Sequence, residues 1–369
     1  MPSKLIPLIL AVFSIIFGLL LSEVILASLD QPKFFKSPVR TKQFSFFQKM
    51  ESNEIVYYNV PLKNFSIFYG GYPRNYFGKF NEVDHFNNSW GFRGPEFEGK
   101  KNKSSIRVAF IGDSFTYGEG VWFKDTVSEL TAQSLNERYK QDPLFNVYNF
   151  GVGGHNTKQS LYVFENKVLK IEPHIVVLGY HINDIEPSLF FWENEKQFVG
   201  EVRRTQLMLG QWAEQKPPEN IFFELRFVKF TWKFIKNFFV SEKTIDFYRS
   251  LYDKDEKQIE VKNNLKKFKG LCGKNKLNCF VMIYPIYFKL EKNYPFKEIH
   301  NFVKDVGGAV GLKTIDLLPH FEGKQSELFW VDPLDHHPNE RANKIVSDVL
   351  QTTILEDNAF RELILNKIK

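Results

Sequence analysis

Five short runs, RVAFI at 107–111, FNVYN at 145–149, IVVLG at 175–179, CFVMIY at 279–284 and LKTIDL at 312–317, alternate with stretches of helical spacing. Several are apolar on both faces, which is the pattern of a strand buried inside a parallel sheet. The intervening helical stretches cover 125–140, 157–170, 296–306 and 340–355. In the second of these Leu161, Phe164 and Val168 share a face, and in the last Ala342, Ile345, Val346, Val349 and Leu350 form one stripe. A parallel strand is reached only through a crossover, and such crossovers are right-handed. The order therefore predicts an α/β chain, a three-layer α/β/α sandwich around a parallel, roughly five-stranded sheet.

With 369 residues, 43% of them apolar and 25% charged, the chain is able to bury a full core around such a sheet. The segment ahead of the first run is different. Leu5 to Leu21 is almost wholly apolar and the segment continues past Glu23 to Leu29, long enough to cross a bilayer. Val24-Ile25-Leu26-Ala27 shows no small-residue cleavage pattern, so 1–29 reads as an uncleaved transmembrane anchor. Lys4 precedes the anchor while Lys33, Lys36, Arg40 and Lys42 come after it, an asymmetry that argues for keeping the remainder inside. Short N-terminal anchors usually export the domain attached behind them, and on that ground the α/β domain is expected to be extracytoplasmic.

Residues 30–105, with turn signals such as Tyr69-Gly70-Gly71-Tyr72-Pro73, read as a stalk that becomes an N-terminal wrap. The α/β domain is expected over 106–356, with an insertion at about 188–270 and a C-terminal tail at 357–369. Within the insertion, 221–240 sets Arg226, Lys229, Lys233 and Lys236 on one helical face with Phe and Trp elsewhere. It reads either as a cap helix packed on the domain or as a helix lying on a membrane surface. Cys272 and Cys279 are the two cysteines; they exclude a four-cysteine zinc site and either pair across a short loop or stay free. The net charge of +6 is dispersed among many acidic residues, which predicts no nucleic-acid partner.

In open parallel sheets the site forms beyond the carboxyl ends of the strands. The first run leads into Gly112-Asp113-Ser114-Phe115-Thr116, a tight turn where a serine hydroxyl meets exposed backbone N–H groups; a capping serine or a phosphate-binding turn is the plainer alternative. The second leads into the glycine-rich Gly151-Val152-Gly153-Gly154-His155-Asn156, whose N–H groups suit an oxyanion or merely a turn. After the third comes His181-Ile182-Asn183-Asp184, where the Asn183 amide can donate to developing negative charge or cap a loop. Ahead of the last helix stands Asp332-Pro333-Leu334-Asp335-His336-His337-Pro338-Asn339. A serine hydroxyl attacks only when a base takes its proton and an acid holds the tautomer of that base, and this stretch contains both residue types. The same stretch also suits metal ligation by Asp332, Asp335, His336 and His337, or helix capping by Asn339.

Gly-Asp-Ser after the first strand, a glycine turn after the second, Asn-Asp after the third and Asp-x-His-Pro before the last helix together resemble the four blocks of the SGNH (GDSL-type) hydrolase superfamily, over about 106–355. The resemblance implies the flavodoxin-like SGNH fold and a serine esterase that needs no metal or organic cofactor. It implies Ser114 as nucleophile, His337 as base and Asp335 as the orienting acid. The oxyanion hole would be the N–H groups of Ser114 and Gly154 with the Asn183 side chain. Asn88-Ser89-Trp90-Gly91-Phe92-Arg93-Gly94 resembles a stretch found upstream in membrane-anchored members, and here it reads as part of the wrap.

Two features depart from the family pattern. His181 stands where glycine is common, two residues before the block Asn, and either reshapes the hole or contacts substrate. The acid usually lies three residues before the histidine, where this chain has Leu334; if His336 were the base, Asp332 would be the acid. His155 and His174 are expected to be structural or substrate-facing. The implied partners are a small acyl-ester substrate, carbohydrate or lipid, and the membrane. An O-acyltransferase with the same triad, a metal-dependent hydrolase and a non-catalytic binding module of the same fold are the alternatives.

Overall fold

In a computed structural model the five apolar runs become strands β1 (Ile106–Gly112), β2 (Phe145–Gly151), β3 (Ile175–His181), β4 (Asn278–Tyr284) and β5 (Lys313–Asp316). The structure describes residues 14, 17–19, 21–25, 47–49, 57–69, 74–79, 81–97, 105–140, 144–186, 190–193, 196–199, 226–333 and 335–368. All pairings in the central sheet are parallel, in the order β2-β1-β3-β4-β5. Every residue of β1 and β3 is buried, as expected for interior strands covered on both sides.

The helices are α1 (Ser114–Tyr117), α2 (Val127–Arg138), α3 (Thr157–Asn166), α4 (Arg226–Tyr252), α5 (Asp255–Lys274), α6 (Lys297–Ala309), α7 (Glu340–Glu356) and α8 (Asn358–Ile368). Helices α2 and α7 pack together, with Thr131 and Ser347 hydroxyls 3.2 Å apart, while α5 packs on α3 and α6. These layers complete the α/β/α sandwich. Strand order runs one way from β1 to β2 and the other way from β1 through β3 to β5. A crevice opens at such a switch point, beyond the carboxyl end of β1.

Two differences from the sequence reading concern the ends of this domain. Helix α5 lies in the expected insertion, yet it is the crossover that brings the chain from β3 to β4, burying Val261, Leu265, Phe268 and Cys272. Its many lysines occupy the outer face and mask a narrow apolar stripe. The expected tail is helical, and Phe360 of α8 is buried with its ring 6.1 Å from that of Phe145. Cys272 and Cys279 are joined by a disulfide, with Cα atoms 6.3 Å apart.

Residues 36–204 and 247–369 form one compact unit, and residues 1–35 with 205–246 form another. Most of the expected anchor lies outside the described residues. Those described within it are helical, and in the same unit the Phe227 N–H donates to Glu23 Oε1 at 2.6 Å. Among the described residues no helix is long and apolar enough to cross a membrane. Of the expected stalk, 30–46 lies outside the described residues.

The described part of the wrap consists of two antiparallel hairpins, Phe47–Lys49 with Tyr57–Asn59 and Asn64–Phe68 with Glu82–Phe86. Ile67, Tyr69, Phe77 and Val83 of the wrap share a core cluster with Val121 and Val331 of the α/β domain. His85 stacks between Phe65 and Tyr117, and His155 Nε2 donates to the Tyr57 carbonyl at 2.6 Å. Burial pushes His85 well below the ordinary imidazole value of 6.5, and pushes both His155 and His174 down to about 4. The unfolded chain thus binds these protons more readily than the native one. The stabilisation is complete above pH 6.5 and is lost as pH falls toward 4, at up to about 1.4 kcal/mol per pH unit for each of the fully buried His85 and His155 and less for the partly exposed His174. The melting temperature should therefore drop across that window, and His155→Gln should flatten the drop.

Candidate active site

The serine is placed by the way β1 ends. Gly112 has φ +155°, and a Cβ there would lie 2.3 Å from Thr116 Oγ1 and 2.8 Å from the Gly179 carbonyl. Glycine therefore lets the chain turn sharply out of the sheet while β3 stays in contact. Asp113 Oδ1 accepts the Phe115 N–H at 2.9 Å, capping α1, and Ser114 is its first residue. The hydroxyl is thus held just beyond the carboxyl end of the strand at the switch point.

The imidazole arrives on a small hairpin, Trp330–Asp332 paired with Asp335–Pro338. Side chains two apart on an extended strand share a face, while the one between points away. Asp335 and His337 accordingly lie together, and His336 turns outward to stack on Trp330 with ring centroids 3.9 Å apart. Asp335 Oδ1 accepts from His337 Nδ1 and also from the His337 backbone N–H at 3.1 Å. His337 Nε2 lies 2.8 Å from Ser114 Oγ. Asn339 then caps α7, accepting from the N–H groups of Arg341 and Ala342 and donating to the carbonyls of Leu328 and Trp330. The capping by Asn339 and the placing of the His337 ring are parts of one arrangement.

An acid two residues before the base suits a strand, which explains the departure in spacing. Asp332 is buried on the opposite strand of the hairpin and pairs in register with Asp335, and His336 Nε2 faces the Pro333 carbonyl at 3.3 Å. The alternative ligand set of Asp332, Asp335, His336 and His337 is not among the groups of described residues whose ligand atoms converge. Among the described residues the one group whose ligand atoms come together is Glu119, Asp335 and His337, and both nitrogens of His337 already face Asp335 and Ser114.

The other expected residues come after β2 and β3, the strands on either side of β1. Gly154 has φ +76° in the turn after β2, and Asn183 lies in the turn Ile182–Ile185 after β3. That turn is fastened from below: Tyr252 donates to the Ile182 carbonyl at 2.8 Å, Thr157 to Asp184 Oδ2 at 2.9 Å, and Asn156 to the Glu186 carbonyl at 2.9 Å. Since the Tyr252 proton is so used, the Tyr180 hydroxyl 2.8 Å away must donate to Tyr252. His181 is buried against Phe115, with ring centroids 4.1 Å apart. Of the two readings of His155, structural or substrate-facing, its surroundings match the first: it is buried and bonded to the wrap, with Tyr57 edge-on at 4.9 Å. His174 is structural too, its Nδ1 accepting the Arg107 N–H at 3.0 Å.

Two contributors escape sequence reasoning. Glu119 Oε2 lies 3.8 Å from His337 Nε2, close enough to stabilise a positive charge on the ring. Arg93 of the wrap is buried, and its guanidinium donates to the carbonyls of Tyr117, Gly118 and Val121, gripping the loop that carries Glu119. The Gly-Phe-Arg-Gly stretch is the signal for Arg93, but nothing local says which carbonyls it meets.

A serine, imidazole and carboxylate joined in sequence at the switch point of a parallel α/β/α sandwich are the arrangement of a serine hydrolase. The pattern of the GDSL-like lipase/acylhydrolase family matches residues 110–345, more than half of the chain, and the protein belongs to that family. Similar solved structures include the acetyl xylan esterase AlAXEase, at 16% identity and TM-score 0.37, covering 67% of this chain and 99% of that one. A lipase/acylhydrolase from Enterococcus faecalis is 14% identical with TM-score 0.37, covering 68% and 95%. LAE5, an alpha/beta hydrolase from the Lake Arreo metagenome, is 14% identical with TM-score 0.42, covering 68% and 97%. No curated protein sequence matches significantly.

Replacing Arg93 by Met strands three carbonyls and loosens the loop beside His337. Arg93→Met should lower unfolding free energy by about 2–4 kcal/mol, measured by urea denaturation, and reduce kcat more than it changes KM.

Proposed function

We propose that Ser114 is the nucleophile, His337 the base and Asp335 the orienting acid of an esterase that removes a small acyl group through an acyl-serine intermediate. The observation that carries this reading is the continuous hydrogen-bonded chain from Asp335 through His337 to Ser114. As Oγ bonds to the ester carbonyl carbon, its proton passes to His337 Nε2 and the carbonyl electron pair moves onto oxygen. The N–H groups of Ser114 and Gly154 and the Asn183 amide receive that oxyanion. Collapse breaks the bond to the alcohol, which leaves with the proton from His337. Water then attacks the acyl group by the same route, and the acid departs.

Asp335 takes the two ring-side roles that a neutral imidazole needs: it fixes Nδ1–H, which leaves the Nε2 lone pair for the hydroxyl, and it stabilises the imidazolium that forms. The ring of Phe115 packs beside the triad, 4.1 Å from the His181 ring and 5.4 Å from the His337 ring. Carbohydrate O-acetyl esters and lipid esters are the substrate classes in view. Ser114→Ala should abolish fluorophosphonate labelling and cut turnover of p-nitrophenyl acetate by ~10⁴-fold or more. Asp335→Asn should cost ~10²–10⁴-fold and Asp332→Asn less than ~10-fold. Labelling that persists in Ser114→Ala would refute the assignment.

The apolar segment Leu5–Leu29 supports a membrane anchor, and the Cys272–Cys279 disulfide supports an extracytoplasmic domain, since disulfides persist in oxidising compartments. The full chain should resist alkaline extraction from membranes, and protease added outside intact cells should digest the domain. Release by alkali, or protection from protease, would count against the respective half of this reading.

A further inference from the structure

We infer that His181 is a positioning residue for the oxyanion hole, acting through Asn183; the inference rests on the esterase reading above. His181 closes β3, and its Nδ1 lies 2.7 Å from Asn183 Oδ1. An amide oxygen accepts and never donates, so the hydrogen in this bond belongs to the ring, at Nδ1. The amide is planar, with oxygen and nitrogen on opposite branches. Holding the oxygen against His181 therefore turns the NH₂ group the other way and commits it to donate.

The reversed amide is disfavoured by the surroundings of the ring. It would need a bare lone pair at Nδ1, and Asp113 Oδ2 stands 3.9 Å from that atom. A carboxylate beside Nδ1 selects the N–H tautomer, because an N–H points a positive end toward it and a lone pair does not. Burial keeps the ring neutral, pushing its pKa down to about 3, and the contacts with the Asn183 oxygen and the Asp113 carboxylate place its single proton at Nδ1. His181 Nε2 meets no hydrogen-bond partner among the described residues, as suits an atom without a proton to place. Phe115 stacked at 4.1 Å fixes the ring plane. The turn is already held by Tyr252 and Asn156 at its backbone and by Thr157 at the Asp184 carboxylate, which leaves the rotation of the Asn183 amide as the freedom that His181 removes. Glycine at 181 would offer no such bond.

The consequence is a hole donor aimed before substrate arrives. A fixed donor stabilises developing charge without reorganising during the reaction, whereas a freely turning amide presents its oxygen part of the time. The effect belongs to the transition state, so it should appear in kcat and leave KM nearly untouched.

Three variants test this with p-nitrophenyl acetate. His181→Phe keeps the ring packed on Phe115 but removes the N–H, and His181→Asn restores a donor near the Nδ1 position. Asn183→Ala removes the relay. His181→Phe should lower kcat by ~10–100-fold with KM within about 3-fold, short of the ~10²–10³ for losing a hole donor outright. The acyl-enzyme carbonyl stretch, read by infrared difference spectroscopy, should move to higher wavenumber as the hydrogen bond weakens. His181→Asn should recover kcat to within about 5-fold of the parent, and His181→Phe added to Asn183→Ala should cost nothing more. An unchanged kcat and carbonyl stretch in His181→Phe, or an equal loss with Asn183 already removed, would overturn the inference. Absence of any acyl-Ser114 in the parent protein would instead overturn the esterase reading, and this inference with it.

Discussion

One hydrogen bond, between Ser114 and His337, joins positions 223 residues apart, and much of the molecule can be understood as the means of making it. The hydroxyl is delivered by β1, the strand at which the sheet changes winding direction. The imidazole is delivered by a hairpin leaning on the start of α7. Neither side chain is long, so the two elements must be held to within a fraction of an ångström. Tight turns and caps provide that on each side: Gly112 and Asp113 at the serine, Asp335 and Asn339 at the histidine.

The N-terminal wrap is best understood as the third support. Its core cluster includes Val121, just past the serine helix, and Val331, which belongs to the histidine hairpin. Arg74 donates to the Val331 carbonyl at 3.0 Å and pairs with Glu340 at the start of α7. Arg93 grips the carbonyls after the serine helix, and the Tyr57 carbonyl meets His155 in the glycine turn. A segment with none of its described residues at the reacting atoms thus touches the serine loop, the glycine turn and the histidine hairpin. The buried imidazoles of His85 and His155 tie that support to pH, since burial disfavours a second proton on either ring.

Much of this was legible in the chain as text. The five apolar runs fell on the five strands, and α2, α3, α6 and α7 appeared within a few residues of the periodic stretches. The serine turn and the Asn-Asp turn lay at the ends of their strands, and the Asp-x-His-Pro stretch lay just ahead of the last long helix. The crossover helix α5 was hidden because its buried stripe, Val261, Leu265, Phe268 and Cys272, is a single residue wide amid lysines. The choice between Asp335 and Asp332 could not be made on spacing, because it depends on whether the segment is extended or turned, and only an extended strand sets Asp335 beside His337.

Local sequence determined what is local: which runs form strands, which residues cap helices, and where a turn demands glycine, because backbone sterics and side-chain periodicity act within a few residues. The tertiary structure alone decided that Arg93 reaches the loop beyond the serine, that His155 serves the wrap, that Glu119 stands beside His337, and that His181 bonds to the Asn183 oxygen. Except for the last, these are meetings of residues far apart in the chain, and even that one depends on ring planes set by Phe115 and Asp113 across the sheet. Such orientations arise from packing between elements, which no window of sequence contains.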